Sequence, residues 1–151
     1  MGAHTGRDVQ VEYAIADENA NRAGLIYKVL GMVRGKGLSN KWDDVDTTAD
    51  KSPAYTKTVL VTFKAVELSL DGVAYDDDVY NQEEVEGLVA SPPSATNYQP
   101  KVWFRLTYPS GKVYEGPYLV TEWSNDDPYD GAATWKLSAK SNGDVVFTPS
   151  V

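Results

Sequence analysis

The sequence predicts a mostly β protein: a two-sheet β-sandwich or open barrel with one short α-helix and one long β-hairpin arm. Three observations point there. Ten tyrosines and four tryptophans, with abundant Val and Thr, suit the pleated, half-buried surface of strands. Twelve glycines and eight prolines supply the turns that many short strands need. Apolar residues recur mainly at period two, and one stretch alone follows the helical period. At 151 residues the chain suits one domain, 1–151, able to bury on the order of 70% of the surface its unfolded form exposes. No internal repeat or low-complexity segment divides it.

Taken in order, Val9, Val11, Tyr13 and Ile15 alternate with polar residues and predict the first strand. Residues 17–24 form a polar connector. Residues 25–34 resume a strand with apolar side chains on both faces, as expected where both are covered. Gly35-Lys36-Gly37 then loosens the chain, and residues 38–57 form a polar, acid- and threonine-rich loop far longer than a hairpin requires. Structureless connections beyond about 12–15 residues are usually functional or disordered, so this one reads as a contact arm.

The return strand, residues 59–70, places its apolar set first at Val59, Val61, Phe63 and Ala65, then at Val66, Leu68 and Leu70. A one-residue slip exchanges the faces of a strand. Near Ala65 the sequence therefore predicts either a β-bulge or a passage from one buried environment to another.

Asp71-Gly72 ends that strand, and residues 76–90 are the predicted helix, with Val85, Leu88 and Val89 on one face. Asp78 can cap it, or Asn81 with Glu84 can form a capping box. Ser91-Pro92-Pro93-Ser94 stops it. Two hairpins follow, one turning at Pro109-Ser110-Gly111-Lys112 and one at Asn142-Gly143, which leads into a short strand at residues 145–148.

Composition excludes several functions. Against 14 basic residues stand 22 acidic ones, a formal charge of −8, so the chain lacks the basic excess that grips a nucleic-acid backbone. No cysteine is present, which removes disulfides, thiolate metal sites and a cysteine nucleophile. His4, the single histidine, lies in a polar terminal segment without the fixed geometry a catalytic base needs. Asp76-Asp77-Asp78 fails as an EF-hand loop, because Asn81 stands where Gly is required and Gly87 where the bidentate Glu belongs. Asp126, Asp127 and Asp130 read as turn formers. Gly31 to Gly37 lacks the Gly-Lys-Ser/Thr ending of a phosphate-binding loop. Glycosidase chemistry needs two opposed carboxylates, and nothing singles out a pair. Trp103, Tyr114, Tyr118, Trp123 and Trp135 on strands offer a sugar-stacking face as an alternative, in which the chain is a carbohydrate- or receptor-binding β-sandwich.

In their order along the chain, these motifs resemble the major tail tube protein family of tailed bacteriophages, chiefly the long-tailed siphophages. The match rests on Leu30-Gly31, Leu38-Ser39, Val45-Asp46-Thr47-Thr48 and Ser52, the return strand with Asp71-Gly72, and the closing pattern of residues 135–141, Gly143 and residues 145–148. One departure is Pro53-Ala54-Tyr55, where the family often has a Gly-aromatic pair.

The resemblance implies the phage tail tube fold and a structural virion protein without catalysis, cofactor or metal. Subunits would join as hexameric rings whose sheets form a continuous barrel, and rings would stack into a tube. The loop of residues 38–57 would reach the adjacent ring through Trp42, Asp43, Asp44, Val45, Asp46, Thr47, Thr48 and Ser52, with Trp42 and Val45 as apolar anchors. Implied partners are further copies of the chain, a tape measure protein in the lumen, and tail terminator and tail tip proteins. DNA would pass an acid-lined lumen without sequence-specific binding, and no membrane is involved. The subunit would be made in the host bacterial cytoplasm and end in the virion tail.

Overall fold

The computed structural model describes residues 9–46, 59–74 and 80–149. Eight strands hydrogen-bond into one antiparallel sheet in the order β2-β1-β5-β6-β7-β4-β3, with β8 paired to β6. In chain order these are β1 (Gln10–Ala14), β2 (Lys28–Val29), β3 (Val33–Asp46), β4 (Val59–Val73), helix α1 (Gln82–Ala90), β5 (Lys101–Thr107), β6 (Val113–Asp126), β7 (Thr134–Ser141) and β8 (Val146–Thr148).

Strand β6 is the hinge of the architecture. Its first half pairs with β5, from Thr107↔Val113 to Lys101↔Leu119, and its second half pairs with β7, from Tyr118↔Ser141 to Asp126↔Thr134. The sheet therefore has two halves, β2-β1-β5-β6 and β6-β7-β4-β3, which share β6 and enclose one core. Period-two alternation points Val11 and Tyr13, Val102, Phe104 and Leu106, Tyr118 and Val120, Leu137 and Ala139, and Val66, Leu68 and Leu70 into that core. Phe104 meets Tyr118 edge to face at 5.6 Å, and Trp123 stacks on buried Trp135 at 5.0 Å.

Helix α1 closes the core with Val85 and Leu88 buried and Val89 packed at the margin, the face its spacing predicts. Its start differs from expectation. The helix begins at Gln82 rather than 76, Asn81 is left-handed (φ 59°) and makes no side-chain cap, and residues 75–79 lie outside the described residues. The capping box is absent because both members are engaged by tertiary partners. Asn81 Nδ2 donates to Val29 O at 2.8 Å, and Glu84 accepts from Lys28 Nζ at 3.0 Å.

The predicted strand over residues 25–34 is also broken. Only Lys28 and Val29 pair with β1, and Ile26, Val29 and Met32 are exposed rather than covered on both faces. Met32 adopts φ 57°, a conformation that non-glycine residues seldom take. Tertiary bonds hold it: Gly31 N donates to Tyr80 O at 2.9 Å, and Val73 N donates to Met32 O at 3.3 Å. Gly72 permits that approach, since a Cβ there would overlap the Met32 carbonyl. The expected slack at Gly35-Lys36-Gly37 is instead strand, with a bulge at Arg34 between the pairs Val33↔Gly72 and Gly35↔Asp71. The hairpin turning at Pro109 to Lys112 forms as expected between β5 and β6. Gly111 sits at φ 99° in it, where its N–H donates to Tyr108 O at 2.9 Å. The turn at Asn142-Gly143 closes no hairpin: both edges of β7 are already taken by β4 and β6, and β8 pairs with β6 instead.

Candidate functional site

The described part of the expected loop of residues 38–57 is ladder. β3 continues to Asp46 and β4 starts at Val59, so residues 38–46 belong to a paired strand and only residues 47–58 fall outside the described residues. Poor β-formers at Lys41, Asp43, Asp44 and Asp46 are carried by the strand opposite, where Val61, Leu60 and Val59 face Asp44, Val45 and Asp46. The acids had read as loop because their own propensity opposes a strand.

This hairpin outruns its sheet. β7 pairs with β4 only as far as Glu67↔Lys140, and Ser141 Oγ accepts from Val66 N at 2.9 Å, capping the last paired edge. From Glu67 to Val59 the ribbon projects about 27 Å, at the rise of an extended strand. An isolated two-stranded ribbon is marginal in water. This one also carries exposed apolar bulk: Trp42 (54% exposed), Val45, Val59, Leu60 (60%), Val61 and Phe63 (74%). Exposed apolar patches of this kind commonly mark contact surfaces.

The phase slip has a structural cause. Trp42 pairs with Lys64 and Asp44 with Val61, so Thr62 and Phe63 together oppose Asp43, and Thr62 Oγ1 donates to Asp43 O at 3.2 Å. This bulge lies two to three residues from the expected position. By the pairing register it returns Val59 and Val61 to the face that carries Val66, Leu68 and Leu70, with Trp42 and Asp44 beside them. The face that forms the core below thus continues along the arm above. The first reading of the slip holds, since a bulge is present; the second does not, because ahead of Val66 the strand is exposed rather than in another buried environment.

Two long backbone edges stay open. Among the described residues β3 has no strand partner on the side away from β4, and β6 beyond Val120 has none on the side away from β7. Antiparallel pairing runs through β6-β7-β4-β3, so the two open edges of this half run in opposite directions. Its outward face bears small residues, Gly37, Ser39, Ser69 and Ser138, among charges of both signs. Lys41 Nζ lies 2.9 Å from Glu67, and its hydrogen bond, then its charge, holds the Glu67 carboxyl below the usual range.

Of the residues the sequence singled out, Trp42, Asp43, Asp44, Val45 and Asp46 share the outer part of β3, whereas Thr47, Thr48 and Ser52 lie outside the described residues, as do His4 and Asp76 to Asp78. Sequence reasoning left out the partner strand: Leu60, Val61 and Phe63 are as exposed as Trp42. The apolar residues ahead of the phase slip were the signal for them. The proposed sugar-stacking face does not form, because Trp103, Tyr118 and Trp135 are buried and Tyr114 and Trp123 pack against the core. Among the described residues no group of three His, Cys, Asp or Glu side chains could hold a metal ion, and no helix is long and apolar enough to cross a membrane.

Residues 5–147 match the family described as phage tail tube protein. No curated protein sequence matches the chain. Among solved structures, the tail of an empty gene transfer agent particle, refined helically with C6 symmetry, is similar with a TM-score of 0.72 at 19% identity, over 97% of this chain and 100% of that one. The SPP1 tail tube aligns with a TM-score of 0.65 at 12% identity, over 97% and 80% of the two chains. The tube-terminating cap of the anti-feeding prophage aligns with a TM-score of 0.62 at 9% identity, over 98% and 92%.

Proposed function

The chain belongs to the phage tail tube protein family, and from that premise we propose that its copies close into hexameric rings and stack as the tube of a phage tail or related particle. The chain acts as one structural domain of the virion, made in the host cytoplasm and without catalysis. The observation that carries this reading is the four-stranded half β6-β7-β4-β3, with open edges of opposite sense and a ribbon projecting from one end. Open edges template pairing. β3 of one copy can therefore add to β6 of the next in an antiparallel ladder, and a rotation that closes yields a ring. C6 symmetry in the gene transfer agent tail supports six copies.

The ribbon then supplies the axial contact, through Trp42, Asp43, Asp44, Val45, Asp46, Thr47, Thr48 and Ser52, to which Leu60 and Phe63 are added. The outward face of the four-stranded half forms the channel wall. Its charges are mixed rather than wholly acidic, with Lys136 and Lys140 opposite Asp71 and Glu67 across the ladder. Such a wall, in a chain of net charge −8, offers phosphate no cluster of cations, and DNA passes without being held. A tape measure protein in the lumen, and terminator and tip proteins at the ends, complete the set of partners.

Asn40 and Val66 are cross-strand partners, so residues 41–65 can be replaced by Asn-Gly, which closes a two-residue turn between them. The expected product is a folded monomer or ring that forms no tubes in electron micrographs. Tubes from this variant would refute the role of the ribbon.

A further inference from the structure

The ribbon leaves one end of β3 and β4, and the opposite end of the same strands carries a hollow of about 400 Å³. We propose that this hollow receives the ribbon of the next copy along the axis, with Asp44 entering between Arg34 and Lys136; the proposal rests on the tube reading above. The hollow is floored by Gly35 and Gly72 and walled by Arg34, Asp71, Trp135 and Lys136. Its floor is recessed by design of the backbone, since a Cβ at residue 35 would overlap the Asp71 carboxylate. The bulge at Arg34 brings that side chain to its rim.

Three observations join the two surfaces. An open-ended stack must place unlike ends in contact, and these are the two ends of one pair of strands. Neither the Arg34 guanidinium nor the Lys136 ammonium has an ion-pair partner among the described residues, and neither do the Asp43 and Asp44 carboxylates. Trp42 and Asp44 lie on one face of the ribbon and Asp43 on the other, so a single face delivers an aromatic anchor and a carboxylate together.

The absence of cysteine makes the contact testable by placement. In a chain carrying Asp44→Cys and Lys136→Cys, assembled and then oxidised with diamide, the expected result is a ladder of covalent oligomers on a denaturing gel, absent from either single variant. Tubes without a ladder would overturn the assignment. Should the double variant not assemble, charge reversal decides. Asp44→Lys is expected to lower the axial association constant about a hundredfold or more, Asp43→Lys to do less, and Asp44→Lys with Lys136→Asp to recover tubes. Failure of that recovery, or equal effects at residues 43 and 44, overturns the proposal while leaving the tube reading intact. Absence of tubes from the parent chain would overturn both.

Discussion

Replacing Gln82 with Met tests whether one buried amide fastens the helix to the strained turn at Met32. Gln82 is 5% exposed, and its Nε2 donates to Gly31 O at 2.9 Å and to Val73 O at 3.0 Å. Met matches its length and removes both bonds. Val73 O keeps a second donor, Trp135 Nε1 at 3.3 Å, so its loss is that of one net hydrogen bond, about 0.5–1.5 kcal/mol. Gly31 O would be left without this partner beneath the helix, which costs about 1–3 kcal/mol. Together these two terms predict a loss of about 1.5–4.5 kcal/mol. Urea unfolding followed by tryptophan fluorescence, at concentrations where the chain is monomeric, measures it directly. A loss below about 1 kcal/mol with an unchanged m-value would show that the turn at Met32 is held by something other than this amide.

Two further perturbations test the fold. Gly72→Ala puts a methyl against the Met32 carbonyl and the Trp135 ring, and a backbone carbonyl cannot swing aside. A loss of about 1–3 kcal/mol in the same unfolding experiment is expected, and no loss would mean that β3 and β4 separate freely there. Burial pushes the Tyr13 and Tyr118 hydroxyls above the ordinary tyrosine range, so folding favours their neutral forms. The stabilisation is complete below the unfolded pKa, about 10, and is lost as pH rises towards the folded values. Each contributes a slope of about 1.4 kcal/mol per pH unit above that point. Tyr118 Oη has no hydrogen-bond partner among the described residues, so Tyr118→Phe should change neutral-pH stability by less than about 1 kcal/mol and lower the alkaline slope by about 1.4 kcal/mol per pH unit; an unchanged slope would remove Tyr118 from the account.

The parts of the fold legible in the sequence are those where local preference and tertiary packing agree. Alternation in β5 and β7, the Gly111 turn and the core face of α1 follow from period and turn chemistry alone. The break at Met32 left no trace, because Met is no turn former and its conformation is imposed by Tyr80 and Gln82 from across the molecule. Helix α1 misled at its start for the same reason: Glu84 has the spacing of a capping residue, but Lys28, distant in sequence, claims its carboxylate. For the candidate site, the phase slip announced the bulge. It could not show that Val59 and Val61 rejoin the core face, which depends on which residue of β3 opposes the extra one.

A ribbon stiffened only by its own two strands has a consequence for timing. Until it meets another copy, its apolar bulk is wet and its ordering has little to offset the lost chain entropy, so the encounter of two free subunits is the least favourable event in growth. An existing end with its receptors already in register removes much of that cost. Polymer should therefore appear after a lag that added fragments abolish, which light scattering would register. On the proposed tube reading, a protein that waits for a template in this way would be stored at high concentration and still polymerise only where growth has begun.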